Sequence, residues 1–150
     1  MQSTQSYVES FLTVFSVINV LLVGLASISL IVGAIGIANT MYTAVLERTR
    51  EIGIMKSIGA TNNHILKLFL IESALIGLVG GIIGIALGIG ISKLAEVAIG
   101  GFLGPGFFQV YFPWYLIVGA LVFAVAIGMA SGIMPARQAS KMNPVDALRE

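Results

Sequence analysis

Ser73-Ala74-Leu75-Ile76-Gly77-Leu78-Val79-Gly80-Gly81-Ile82-Ile83-Gly84-Ile85-Ala86-Leu87-Gly88-Ile89-Gly90-Ile91-Ser92 carries no charge over 20 residues, between Glu72 and Lys93. An α-helix needs about 20 apolar residues to cross a hydrocarbon core of ~30 Å, so this run predicts a membrane span. Toward the N-terminus, 37 uncharged residues, Ser10 to Leu46, lie between Glu9 and Glu47. Toward the C-terminus, 40 lie between Glu96 and Arg137. Gly100-Gly101 and Gly104-Pro105-Gly106 are expected to break that last stretch and leave a span near Trp114 to Met134. The fold class that follows is an all-α integral membrane protein, a single transmembrane domain over 1–150. Its three transmembrane helices lie at about 11–44, 65–96 and 113–134. The first is longer than a bilayer requires and is expected to project beyond it.

Composition agrees. Hydrophobic residues make up 57% of the 150 and charged residues 10%, against about 25% charged in an average soluble domain; mean hydropathy is +1.00. A soluble domain and a disordered tail are excluded. A net charge of +1 with sparse basic residues leaves no electrostatic footprint for nucleic acid. The absence of cysteine removes disulfides, thiolate chemistry and Cys-based metal sites, and leaves the redox compartment open.

Basic residues orient the spans. Arg48, Arg50, Lys56 and Lys67 fall between the first and second spans, and Arg137, Lys141 and Arg149 in the tail, so seven of eight share one side. The positive-inside rule makes that side cytoplasmic, with the N-terminus outside and the C-terminus, a tail over 135–150, inside. Met1 to Ser10 shows no secretory signal. An outside N-terminus without an export signal is expected of the C-terminal part of a longer chain or of half a split system. No internal repeat supports an inverted-repeat transporter.

Glycines line the second span. Gly77/Gly81, Gly80/Gly84 and Gly84/Gly88 stand four apart, a strip that lets another helix backbone approach closely. Ser29, Gly33 and Gly36 form a smaller version in the first span, and Gly128 with Gly132 another in the third. The strip serves either packing among the three helices or a dimer seam. No ionisable group lies within Ser73–Ser92 or Trp114–Met134, which disfavours a charge-relay channel or pump. Asn19 and Asn39 are the most polar residues of the first span. Glu72 reads as an interfacial carboxylate capped by water or Lys67. Phe102, Phe107, Phe108, Tyr111, Phe112, Trp114 and Tyr115 read as an interfacial belt, in a loop made irregular by its Gly-Pro breakers.

Between the first two spans, Glu47-Arg48-Thr49-Arg50-Glu51-Ile52-Gly53-Ile54-Met55-Lys56-Ser57-Ile58-Gly59-Ala60 reads as a short amphipathic helix over about 46–60. Ile52, Met55 and Ile58 or Gly59 share one face. Glu47–Arg50 and Arg48–Glu51 are i,i+3 opposite-charge pairs, Gly59 is a natural stop and Thr61 a natural N-cap. Acids alternate with bases, which weakens attraction to lipid, two glycines permit close approach, and no large aromatic anchors the apolar face. Those features point to a protein partner. In the tail, Pro135 is expected to end or kink the third span, with a short helix following to Met142. Asn143-Pro144 then starts a new turn that places Asp146 near a helix N-terminus.

These two segments together resemble the FtsX/MacB-type ABC transporter permeases. Glu47 through Thr61 is similar to one signature of that family. Pro135-Ala136-x-x-Ala139-Ser140-x-x-x-Pro144-Val145-Asp146-Ala147-Leu148-Arg149 is similar to its C-terminal signature. Ser57 stands where alanine is more usual, and Asp146 where glutamate is frequent. The motifs fall in the family's order, and the resemblance covers nearly the whole chain. It implies a mechanotransmission role, in which a cytosolic ABC ATPase binds the coupling helix and its closure passes through the membrane to an extracytoplasmic domain. Glu47, Arg48, Arg50, Glu51, Ile52, Gly53, Met55, Lys56 and Gly59 would then contact the ATPase. The tail motif, with Pro135, Arg137, Pro144, Asp146 and Leu148, would brace that helix or touch the ATPase. Implied partners are the ATPase, a second permease copy or paralogue, the bilayer of the plasma (inner) membrane, and a segment or chain supplying the family's first helix and extracytoplasmic domain. ATP and Mg would reside on the partner, and this chain would need no cofactor. A scaffold or dimerisation module that recruits a cytosolic partner without transport is the alternative.

No Gly-x-x-x-x-Gly-Lys-Ser/Thr occurs, so the chain is not itself the P-loop ATPase. Gly128-Met129-Ala130-Ser131-Gly132 lacks the spacing of a nucleophilic serine elbow. His64, the single histidine, reads as a solvated surface residue. No catalytic site is predicted.

Overall fold

A computed structural model describes residues 2–103, 109–143 and 147. The chain forms α1 (Gln2–Glu47), α2 (Thr49–Ser57), α3 (Asn62–Leu103) and α4 (Trp114–Lys141). α1, α3 and α4 contain three stretches long and apolar enough to cross a membrane, Ser6–Glu47, Asn62–Gly101 and Trp114–Lys141. It divides into two units, Met1–Gly36 and Ile37–Glu150.

In the first unit, residues 6–33 are exposed throughout, as apolar side chains are when lipid or another protein is their solvent. Hydroxyl groups there turn inward to their own helix: Ser27 Oγ donates to the Val23 carbonyl at 2.8 Å and Ser29 Oγ to that of Leu25 at 2.9 Å. Such back-bonding satisfies a hydroxyl where no water is at hand.

In the second unit, α3 and α4 pack against each other, and glycine sets how closely. A Cβ on Gly77 would stand 2.6 Å from the Ala124 carbonyl oxygen, and one on Gly128 would stand 2.6 Å from that of Ser73 and 2.9 Å from the Gly77 Cα. A Cβ on Gly81 would meet the Ala124 methyl group at 2.7 Å, and one on Gly132 would overlap the Ser73 side chain. The backbones therefore touch at Gly77/Gly128, as small-residue helix packing requires. Gly80, Gly84 and Gly88 have nothing within 4 Å of their missing Cβ. The strip thus divides into an inner pair, Gly77 and Gly81, against α4, and an open row.

The hydrophobic core lies at one end of this unit. Met41 and Val45 of α1, Ile52 of α2, Ile65 and Phe69 of α3, and Ala136 and Ala139 of α4 are all buried together. Residues from four helices thus meet in one buried cluster.

Three expectations need correction. α3 runs through Gly100-Gly101 to Leu103; glycine lowers helix propensity by only about 1 kcal/mol, too little to stop a 42-residue helix. α4 runs through Pro135 to Lys141, so the third span and the expected tail helix are one element. Proline lacks an N–H, but Pro135 is buried next to the core residue Ala136, and that burial offsets the lost hydrogen bond. The short helix between spans is Thr49–Ser57; residues 46 and 47 belong to α1.

Candidate functional site

α2 is set off from its neighbours by local chemistry at both ends. At Arg48 the backbone turns to φ −103 and ψ 17, ending α1 and opening α2. Thr49 Oγ1 donates to the Leu46 carbonyl at 2.8 Å and approaches that of Val45 at 3.2 Å, supplying donors to the unpaired end of α1. At the other end Gly59 takes φ +103, the one positive φ among the described residues. The Ala60 N–H then reaches the Met55 carbonyl at 2.9 Å and the Gly59 N–H that of Lys56 at 3.1 Å, the paired bonds of a Schellman stop. Thr61 caps the next helix, its Oγ1 accepting the His64 N–H at 3.3 Å.

The helix so bounded presents two faces. Ile52 is 0% exposed, Gly53 is buried, and Met55 is half-buried against the core. Opposite them, Arg50, Glu51, Ile54 and Ser57 are exposed, with Glu47 and Gly59 flanking them. Ile58 is 81% exposed. The sequence pattern groups it with Ile52 and Met55, but its N–H bonds the Ile54 carbonyl at 3.1 Å, so it stands one helical turn after Ile54 on the same outer side. The residues read as partner contacts are therefore not equivalent. Ile52 and Met55 pack into this chain's own core, and Gly53 is buried beside them in sequence. Glu47, Arg48, Arg50, Glu51 and Gly59 stand at the surface.

Two polar tethers hold α2 in place. Arg48 Nη1 contacts Glu72 Oε1 of α3 at 3.2 Å. The expected Glu47–Arg50 and Arg48–Glu51 pairs are not among the ion pairs of the described residues, and Glu72 is paired with Arg48 rather than Lys67. The break at Arg48 turns its guanidinium toward α3, away from its own helix. Lys56 Nζ donates to the carbonyls of Ser140 at 2.8 Å and Met142 at 2.6 Å. Sequence reasoning placed Lys56 among the outward contacts; the pattern of a nine-residue helix shows a face but not what lies beneath it.

Tail residue Pro135 is buried and Arg137 exposed; Pro144, Asp146 and Leu148 lie outside the described residues. Ala147 is buried, its N–H donating to the Asn143 carbonyl at 3.1 Å. His64 is exposed, and Ser131 Oγ donates to the Ile127 carbonyl at 2.8 Å as an ordinary helical serine. Among the described residues no group of three His, Cys, Asp or Glu could hold a metal ion. A groove of about 190 Å³ between α3 and α4, with Leu70, Leu78, Val125 and Met129 in its walls, offers only apolar surface.

Three long apolar helices, with a short helix tethered to two of them by Arg48 and Lys56, define a multi-pass membrane protein. Residues 23–144 match the FtsX-like permease C-terminal family, and the chain belongs to it. It is 46% identical over 149 residues to the ABC transporter permease YvrN of Bacillus subtilis, covering 99% of this chain and 34% of that one. An uncharacterised ABC transporter permease of Methanocaldococcus jannaschii is 44% identical over 137 residues, 91% of this chain and 34% of the relative. The macrolide export ATP-binding/permease protein MacB of Agrobacterium fabrum is 41% identical over 140 residues, 93% of this chain and 21% of MacB. The chain thus spans about a third of the two permeases and about a fifth of MacB. The matched family is one of permeases, and the relatives above are named ABC transporter permeases or, for MacB, an ATP-binding/permease protein.

Proposed function

We propose that this chain is the part of an ABC permease that takes up motion from a cytosolic ATPase and passes it to the membrane helices. One observation carries the reading: α2 has its apolar face fixed in the core and its polar face, with Ile54 and Ile58, turned outward. A partner that grips the outer face would move a helix already tethered to α3 by Arg48 and to α4 by Lys56. The Agrobacterium relative is named for both ATP binding and permease activity, which supports an ATPase as that partner. In this reading ATP and Mg stay on the ATPase, the α2 end faces the cytoplasm, the N-terminus lies outside, and the membrane is the plasma membrane. The test is co-purification with the cognate ABC ATPase. Glu51→Lys and Ile58→Asp, both on the outer face, should each lower recovery of the ATPase at least about tenfold while the chain remains inserted. Undiminished recovery would reject the outer face as the docking surface.

A second reading, self-association as a dimerisation module or as part of the same permease, is favoured by the open row of Gly80, Gly84 and Gly88. Leu at Gly80 and Gly84 should abolish self-association in detergent, and an unchanged oligomer would remove the seam.

A further inference from the structure

We infer that Lys56 is a positioning residue that locks the C-terminal end of α4 to α2, so that the two helices and the turn after α4 move as one body. The inference deepens the docking reading above and rests on it only where ATPase coupling is measured.

Lys56 lies in the last turn of α2, where a cation is favoured by its own helix's carbonyl end. Its ammonium instead reaches the end of α4, whose terminal carbonyls carry partial negative charge. Lys56 is half-buried and is in no ion pair among the described residues, so two of its three N–H donors are given to backbone alone. Both acceptors are at the helix end where carbonyls lack intrahelical partners. Ser140 is buried, so its carbonyl would find no ready substitute in water. Ser140 Oγ donates to the Arg137 carbonyl at 2.9 Å and the Met142 N–H to that of Ala139 at 3.3 Å; Lys56 completes this set from outside the helix. Lys141, the cation on α4's own last turn, takes no part among the described residues. Met142, where the chain turns at φ −56 and ψ 138, is the second acceptor. The tether therefore fixes both the helix and the turn at Met142 that follows it.

The test is amide hydrogen exchange over Ala139–Asn143 in the full chain, with ATPase recovery and ATP turnover of the complex measured in parallel. Lys56→Met keeps the unbranched apolar stem of the side chain and removes its donors. It should speed exchange in this segment about tenfold or more and reduce the permease's effect on ATP turnover while leaving ATPase recovery intact. Lys56→Arg should restore both, and Lys141→Met, which removes a nearby cation that bonds nothing described, should change neither. Wild-type exchange in Lys56→Met, or equal acceleration in Lys141→Met, overturns the lock. If Lys56→Met does not insert, Lys56→Arg decides: a folded protein with wild-type exchange supports the lock, and accelerated exchange rejects it. Failure of the wild-type chain to recover the ATPase, with exchange still accelerated in Lys56→Met, would reject the docking reading and leave the lock standing.

Discussion

At Gly128 a methyl group is too large. Its Cβ would stand 2.6 Å from the Ser73 carbonyl oxygen and 2.9 Å from the Gly77 Cα, and neither backbone atom can yield unless α3 and α4 separate. Gly128→Ala is therefore expected to destabilise the second unit by about 1–3 kcal/mol in reversible unfolding from mild detergent. Gly80→Ala meets nothing within 4 Å and should be neutral or gain up to about 1 kcal/mol in helix propensity. Equal costs at the two sites would contradict the assigned packing. The sequence made both positions visible as members of four-residue repeats. It could not show which glycine faces α4, because such spacing defines a strip on one helix and says nothing of where its neighbour lies. Arg48 shows the same limit. Read locally it pairs with Glu51, the only acid within a helical turn on its C-terminal side, whereas a one-residue break directs it to Glu72, 24 positions away.

At the scale of an element, α2 is a nine-residue helix, too short to be stable alone in water. It persists because Ile52 fills the core and Gly59 closes its last turn. Ile52→Ala should cost about 2–5 kcal/mol. Gly59→Ala, forced to φ +103, should cost on the order of 1 kcal/mol or more. Ile58→Ala, on the outer side, should leave stability within about 0.5 kcal/mol of wild type. Thermal unfolding of the three variants in one detergent checks the order, and a loss at Ile58 matching that at Ile52 would contradict the two-faced description. The stop at Gly59 and the cap at Thr61 were legible, since each depends on one residue's local chemistry. The C-terminal ends of α3 and α4 were not. Gly100-Gly101 and Pro135 signal breaks in a helix taken alone, and at Pro135 tertiary burial overrides the signal.

For the whole molecule, three spans follow from uncharged runs because charge is the one feature a bilayer excludes regardless of packing. What those runs leave unseen is the meeting of four helices at one end, where Met41, Ile52, Phe69 and Ala136 come from segments far apart in sequence. That junction gives the family signature a physical meaning: the residues from Glu47 to Thr61 comprise an inner face that holds α2 in place and an outer face available to a partner. The most direct test puts a photocrosslinking amino acid at Ile58, Ile54 or Ile52 in turn, in the complex with the cognate ABC ATPase. The account predicts adducts to the ATPase from Ile58 and Ile54 and none from Ile52. Adducts from Ile52 with none from Ile58 would mean that α2 meets its partner by the face buried here, and would contradict a helix held from within and driven from outside.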